Sequence, residues 1–130
     1  MNVGEGFDVY FEFEISLPST KCSRMDDTNT FCRSRGADGI AFVLQNTSDV
    51  ALGDAGSGLG YRGIFNALAV EVDTFFNYDN LDLYENHIAV MTHGFRYNLS
   101  SNHSRYYGHT LYDCNLRCIS AFYINTYYHM

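Results

Sequence analysis

Five side chains that can bind a cation recur at short intervals in one stretch of the chain: Glu71, Asp73, Asn77, Asp82 and His87. Because side chains alternate along a strand, Glu71 and Asp73 would lie on one face and repel each other. The residues that follow form a segment long enough to fold back over the strand end, where a cation would relieve that repulsion. The stretch therefore predicts a metal site. The alternative is an acidic turn whose carboxylates and imidazole are solvated.

The donor types divide into two overlapping sets. Ca²⁺ prefers carboxylate, amide and backbone carbonyl oxygens, and these are offered by Asp73, the carbonyl of Phe75, Asn77 and Asp82. Mn²⁺ or a similar transition metal accepts carboxylates together with an imidazole, and these are offered by Glu71, Asp73, Asp82 and His87. Asp73 and Asp82 belong to both sets and could bridge two ions. The other histidines have no ligand-like spacing and are expected to be solvated: His93, His103, His109 and His129.

The order and spacing of these residues resemble those of the L-type (legume-type) lectins. That family holds Mn²⁺ and Ca²⁺ with a glutamate, an aspartate, an aromatic residue's carbonyl, an asparagine, an aspartate and a histidine at matching intervals. Residues 36–45 resemble the family's Ala-Asp-Gly strand, and residues 56–61 resemble its glycine-rich sugar-binding loop. The resemblance covers residues 7–92 and weakens after Gly94. The aspartate–proline pair often seen in the family is Asp82-Leu83 here.

The resemblance implies a Ca²⁺- and Mn²⁺-dependent carbohydrate-binding domain, without enzymatic activity, whose partners are glycans or glycoproteins. The residues that it places at the sugar are Asp38, Ser57, Gly58, Phe75 and Asn77. Asp38 would follow a cis peptide bond and accept hydrogen bonds from two sugar hydroxyls, while Ser57 or Gly58 would donate a backbone N–H. The residues alone leave two alternatives open, a turn aspartate at the strand entrance and a flexible glycine-rich connection.

Two other functions compete with sugar binding. A retaining glycan hydrolase of similar architecture needs a second carboxyl about 5–5.5 Å from the first, supplied by a glutamate two or three residues beyond Asp73. Phe75 and Phe76 occupy those positions, which argues against hydrolysis. The remaining alternative is a structural or adhesive subunit of an extracellular assembly that keeps the fold and binds little sugar.

The hydrophobic pattern predicts strands throughout the chain. Residues 7–15 alternate between apolar and polar side chains, and residues 39–44 are apolar on both faces, as in a central strand. Further strands are expected at 68–73, 88–92 and 119–128, with loops at 19–35 and 94–109. No segment has the helical period. We therefore expect a single all-β domain over residues 1–130, an antiparallel β-sandwich of the jelly-roll, legume-lectin-like type.

Five or six strands are legible, which is too few to cover both faces of two sheets. We therefore expect the sandwich to be incomplete in this chain. Either a longer polypeptide completes it, or neighbouring copies do so by strand addition in a homo-oligomer or filament. The first six residues lack the basic and apolar parts of a signal peptide, so a secreted form is expected to be mature or partial.

Four cysteines allow three disulfide connectivities, of which Cys22–Cys32 with Cys114–Cys118 closes two local loops. A structural zinc site is the alternative, but no C-x2-C spacing is present. Disulfides form outside the cytosol, and three glycosylation sequons point the same way, at Asn46, Asn98 and Asn102. An extracellular, cell-surface or secretory-pathway location is therefore expected.

The charge balance excludes two classes of partner. The formal net charge is −7 and no cluster of lysine or arginine is present, which argues against nucleic acid and anionic membranes. No apolar run is as long as the ~20 residues of a membrane-spanning helix. No membrane insertion is therefore expected.

Overall fold

The computed structural model describes residues 6–17, 19–94 and 96–104, together with strands at 109–112 and 122–126. These parts of the chain form antiparallel sheets with almost no helix, which confirms the all-β class. The strands are β1 Phe7–Phe11, β2 Arg24–Met25, β3 Cys32–Ser34, β4 Gly39–Gln45, β5 Ala67–Asp73, β6 His87–Thr92, β7 His109–Tyr112 and β8 Phe122–Thr126. Two single 3₁₀ turns occur, at Gly56–Gly58 and Tyr78–Asn80.

The described residues fall into two compact units, one with β1 and β8 and the other with β2 to β7. In the first, β1 pairs with β8 in the register Phe7↔Thr126. The strand predicted over 7–15 ends early, at Phe11. None of the described segments is a helix with the length and apolar character that crossing a bilayer requires.

The larger unit is built on a four-stranded sheet in the order β4-β5-β6-β7. β5 lies between β4 and β6, and Asp73 is opposite Gly39 on one side and His87 on the other. Cross-strand partners point to the same face of an antiparallel sheet. The register therefore places Asp73 and His87 side by side.

β5 alternates as predicted, with aliphatic side chains on one face and both carboxylates on the other: Leu68, Val70 and Val72 against Ala69, Glu71 and Asp73. Such alternation is typical of a half-buried strand, but both faces of β5 are buried from Ala69 to Asp73. The loops around residues 61–64 and 99 cover the carboxylate face. They close a core made of Tyr61, Ile64, Ala67, Ala69, Ala89, Met91 and Leu99.

The segment predicted as a loop at 19–35 contains the β2–β3 hairpin, so that prediction was wrong in part. The carboxylate of Asp26 accepts hydrogen bonds from the N–H groups of Thr30 and Phe31, at 2.7 and 3.0 Å, and thereby forms the turn. The predicted disulfide Cys22–Cys32 is present and braces this hairpin. Cys114 and Cys118 lie outside the described residues. The described chain holds eight strands where the sequence pattern predicted five or six, since the hairpin and β7 were missed.

Candidate metal centre

Four of the predicted ligands converge at the end of β5. Glu71 and Asp73 come from β5, His87 begins β6, and Asp82 comes from the connection between the two strands. All four are buried, with no more than 6% of any of them exposed. Ligand atoms of Asp73, Asp82 and His87 lie within 4.8 Å of one another.

The connection after Asp73 folds back over the strand end, as the sequence predicted. The N–H of Phe75 donates to Asp73 Oδ1 at 2.7 Å, and the N–H of Asn77 donates to Asp82 Oδ2. The 3₁₀ turn Tyr78–Asn80 then carries the chain to Asp82. These contacts hold one oxygen of each aspartate and leave the other oxygen for a further partner.

Three buried oxygens in this region accept no hydrogen bond of good geometry from the described part of the chain. They are Glu71 Oε1, Asn77 Oδ1 and Asp82 Oδ1. A buried acceptor without a partner is costly, and most buried acceptors in proteins are paired. Bound cations are partners that such oxygens accept, so the residues fit metal binding.

The imidazole of His87 is oriented for a ligand role. Its Nδ1 lies 2.9 Å from the carbonyl oxygen of Tyr84, so Nδ1 carries the proton in that hydrogen bond. Metal-binding histidines commonly donate their second nitrogen to a carbonyl in this way. In the neutral ring Nε2 then carries the lone pair, and it lies 3.2 Å from His103 Nε2 and 3.5 Å from Glu71 Oε1.

The electrostatics of the cluster favour negative charge on Glu71 and oppose it on the two aspartates. Burial raises the pKa of Glu71, but the His103 and His87 imidazoles and the Tyr61 hydroxyl outweigh burial and lower it to about 2. Burial raises the pKa of Asp73 to about 7, and it also raises the pKa of Asp82. A bound cation would stabilise both aspartates in their ionised forms.

His103 also belongs to this cluster, although the sequence predicted it to be solvated. Its side chain is 3% exposed, and its Nε2 lies 3.0 Å from Glu71 Oε1 and 3.2 Å from His87 Nε2. The prediction was wrong because His103 lies in an irregular segment, where spacing carries no information about contacts. The serine-rich sequence around it gives no sign of the fold that brings it to β5.

Asn80 fixes the segment that carries His103, and the sequence pattern did not predict this role either. Its carbonyl oxygen accepts from the N–H of His103 at 2.8 Å, and its Oδ1 accepts from the hydroxyl of Ser101 at 3.3 Å. Its Nδ2 donates to the carbonyl of Ser57 at 2.8 Å. The main chain and the buried side-chain amide of Asn80 together tie residues 101–103 and the glycine-rich loop to the connection between β5 and β6.

The predicted sugar-binding residues flank this connection. The Ala37–Asp38 peptide bond is cis, as the resemblance implied. The carbonyl of Asp38 accepts from the N–H of Thr74 at 2.8 Å, which fixes its backbone beside the end of β5. Ser57 is joined to Asn80 as described. Phe75 and Asn77 are half-buried within the connection itself.

Gly58 and one sequon fit their expected roles less well. The N–H of Gly58 donates to the carbonyl of Ala55 at 3.3 Å, so it is already engaged within its 3₁₀ turn.

Asn46 and Asn98 are exposed, as glycosylation sites must be. Asn102 is half-buried, and its Nδ2 donates to the carbonyl of Asp79 at 3.0 Å.

No protein-family model matches the sequence, and no solved structure matches the fold. The comparisons therefore do not identify a family. The likeness to the L-type lectins remains a resemblance in residue types and spacing.

Proposed function

We propose that the chain is a Ca²⁺- and Mn²⁺-dependent carbohydrate-binding domain of the L-type lectin kind that recognises extracellular glycans. The observation that carries this proposal is the set of buried oxygens without hydrogen-bond partners around the end of β5. Buried oxygens of this kind suit a cation. The residues that carry them, and their neighbours, have the types and order of the metal ligands in the L-type lectins that the chain resembles.

Two overlapping ligand sets follow for the metals. Ca²⁺ would be held by oxygens of Asp73, Phe75, Asn77 and Asp82. Mn²⁺ or another transition metal would be held by Glu71, Asp73, Asp82 and His87. Bound metal supplies positive charge to a cluster that has three buried carboxylates.

The sugar would then be bound by residues of the chain that these contacts hold in place. Thr74 holds the backbone of Asp38, whose carboxylate would accept hydrogen bonds from hydroxyls. With its Oδ1 on the metal side, Asn77 would direct its amide N–H groups to the sugar, and Phe75 would offer its ring to a C–H face. Residues fixed before binding lose little entropy on binding, which favours recognition by a shallow polar surface.

The finer fold and the location belong to the same proposal. We infer a β-sandwich of the jelly-roll type, because the four-stranded sheet buries aliphatic side chains on the face opposite the metal cluster: Val70, Val72 and Ile88. A sheet with two buried faces needs a layer on each. The Cys22–Cys32 disulfide supports an extracellular or secretory location.

A glycan array probed in Ca²⁺ and Mn²⁺, and again in EDTA, tests the function. We expect binding that EDTA abolishes and that added Ca²⁺ restores. Asp38→Asn should lose binding with an unchanged melting temperature, whereas Asp49→Asn, at an exposed position, should bind like the wild type. Undiminished binding in EDTA, or in Asp38→Asn, would overturn the proposal.

A further inference from the structure

We infer that His103 is a metal ligand. The centre beside Glu71 then has two histidines, which suits a transition-metal ion of intermediate hardness such as Zn²⁺. The inference deepens the proposed function and rests on it only in that both need a metal at the end of β5. It adds His103, which lies outside the stretch of residues 71–87 from which the metal site was predicted. It also changes the ion that this position should prefer.

The donor atoms have the separations that one small ion imposes. His103 Nε2 lies 3.0 Å from Glu71 Oε1 and 3.2 Å from His87 Nε2, and His87 Nε2 lies 3.5 Å from Glu71 Oε1. Zinc bonds to nitrogen and oxygen of about 2.0–2.2 Å place neighbouring ligand atoms about 3–3.5 Å apart in octahedral or tetrahedral geometry. The three separations lie in that range.

The chemistry of the set also favours a borderline ion. Two imidazole nitrogens and one carboxylate oxygen converge, since ligand atoms of Glu71, His87 and His103 all lie within 4.8 Å of one another. Imidazole suits zinc, copper, nickel and iron better than it suits Ca²⁺. Glu71 Oε1 is buried and accepts no hydrogen bond of good geometry from the described residues. The set therefore offers three protein donors, and zinc sites with three protein ligands and a fourth position for water are common.

Each of these ligand residues is also held by a contact on the side away from the metal position. The Tyr61 hydroxyl donates to Glu71 Oε2 at 2.6 Å, and His87 Nδ1 bonds the carbonyl of Tyr84. The main chain of His103 is fixed by Asn80. Such outer contacts orient metal ligands and raise their affinity, so the site is assembled by the fold itself.

The competing explanation is an ion-pair network in which protonated imidazoles neutralise the carboxylates. Glu71, Asp73 and Asp82 can carry three negative charges, whereas His87 and His103 can carry at most two positive ones. Neutrality without a metal therefore needs a proton on at least one carboxylate as well as on both imidazoles, whereas a bound metal ion takes the place of those protons. The two explanations predict different metal binding.

The test begins with the full chain stripped of metal by a chelator and titrated calorimetrically with Zn²⁺ and with Ca²⁺. We expect His103→Ala to weaken Zn²⁺ binding at least about 10-fold and to change Ca²⁺ affinity much less, because His103 touches the calcium ligand Asp82 but supplies no donor to calcium. The matched control is His93→Ala, since His93 Nδ1 bonds the carbonyl of Asn98 and its ring packs against Tyr97. Equal Zn²⁺ affinity in wild type and His103→Ala would overturn the inference.

A spectroscopic measurement on the wild type avoids dependence on a variant that fails to fold. Cu²⁺ loaded into the centre should give the pulsed paramagnetic-resonance signature of two imidazole nitrogens, and a single imidazole would contradict the inference. If two imidazoles are seen but the protein binds no glycan in Ca²⁺, the proposed function is wrong and the role of His103 stands. If the protein binds glycan but only one imidazole is seen, the role of His103 is wrong and the proposed function stands.

Discussion

Tyr61 and Glu71 are joined by a 2.6 Å hydrogen bond between two side chains that are almost completely buried. The hydroxyl donates to Oε2, so Oε1 is left facing the two histidines. Tyr61 ends the glycine-rich stretch, and Glu71 lies in the middle of β5. One contact thus connects the loop that covers the sheet to the charged cluster beneath it.

Replacing Tyr61 by phenylalanine should weaken both the fold and the metal centre. The change leaves a buried carboxylate oxygen without its donor, which costs about 1–3 kcal/mol. Loss of an outer contact to a ligand should lower metal affinity about 10-fold. Urea unfolding and calorimetric metal titration measure the two effects. Tyr78→Phe is the control, because Tyr78 is 78% exposed, and an equal effect of the two changes would contradict the role given to Tyr61.

Metal binding should become stronger as pH rises towards 7. Burial raises the pKa of Asp73 from its ordinary value of 3.8 to about 7 in the metal-free fold. Because the folded state holds this proton more tightly, Asp73 makes the metal-free protein less stable as pH rises from about 4 to 7. Glu71 acts oppositely, since its pKa of about 2 gives stability that is lost only as pH falls below 4.5.

The same proton must leave when metal binds, since metal ligands are deprotonated. Calorimetry at pH 6 in two buffers of different ionisation enthalpy should therefore report proton release, and at pH 8 the release should be smaller. Proton release that does not change between these pH values would contradict a raised pKa at Asp73.

Removing the Cys22–Cys32 disulfide should lower the stability without unfolding the larger sheet. The two cysteines are 10 residues apart, and closing a loop of that size stabilises a protein by up to about 3 kcal/mol in the chain-entropy model. Urea unfolding of the double variant Cys22→Ser, Cys32→Ser should show the loss. Added reductant should lower the free energy of unfolding more in the wild type than in the variant, which retains only the predicted Cys114–Cys118 disulfide.

Gly39→Ala should be far more damaging than Gly60→Ala. Both glycines have positive φ, 143° and 74°, which costs an alanine about 1–3 kcal/mol. A methyl group at Gly39 would also lie 2.2 Å from the carbonyl oxygen of Val72, whereas one at Gly60 would meet open space. Circular-dichroism melts should show a larger loss for Gly39→Ala. Equal losses would mean that β4 can move away from β5 at little cost.

The part of the site that follows strand periodicity could be predicted from the sequence. Glu71 and Asp73 share a face because alternation is local, and the short connection to Asp82 and His87 leaves few ways to return to the next strand. His103 and Asn80 could not be predicted, because their contacts depend on the paths of irregular segments. Periodicity also gave the wrong exposure for β5, since it does not reveal that loops cover the charged face.

The cross-strand alignment of Gly39, Asp73 and His87 has a consequence for folding. A slip of one residue between β5 and β6 would send every side chain of one strand to the opposite face. Asp73 and His87 would then be separated by the sheet, and no ion could bridge them. Metal present during refolding should therefore stabilise the native register of β5 and β6 and no other register. Strands paired in a shifted register would separate and pair again.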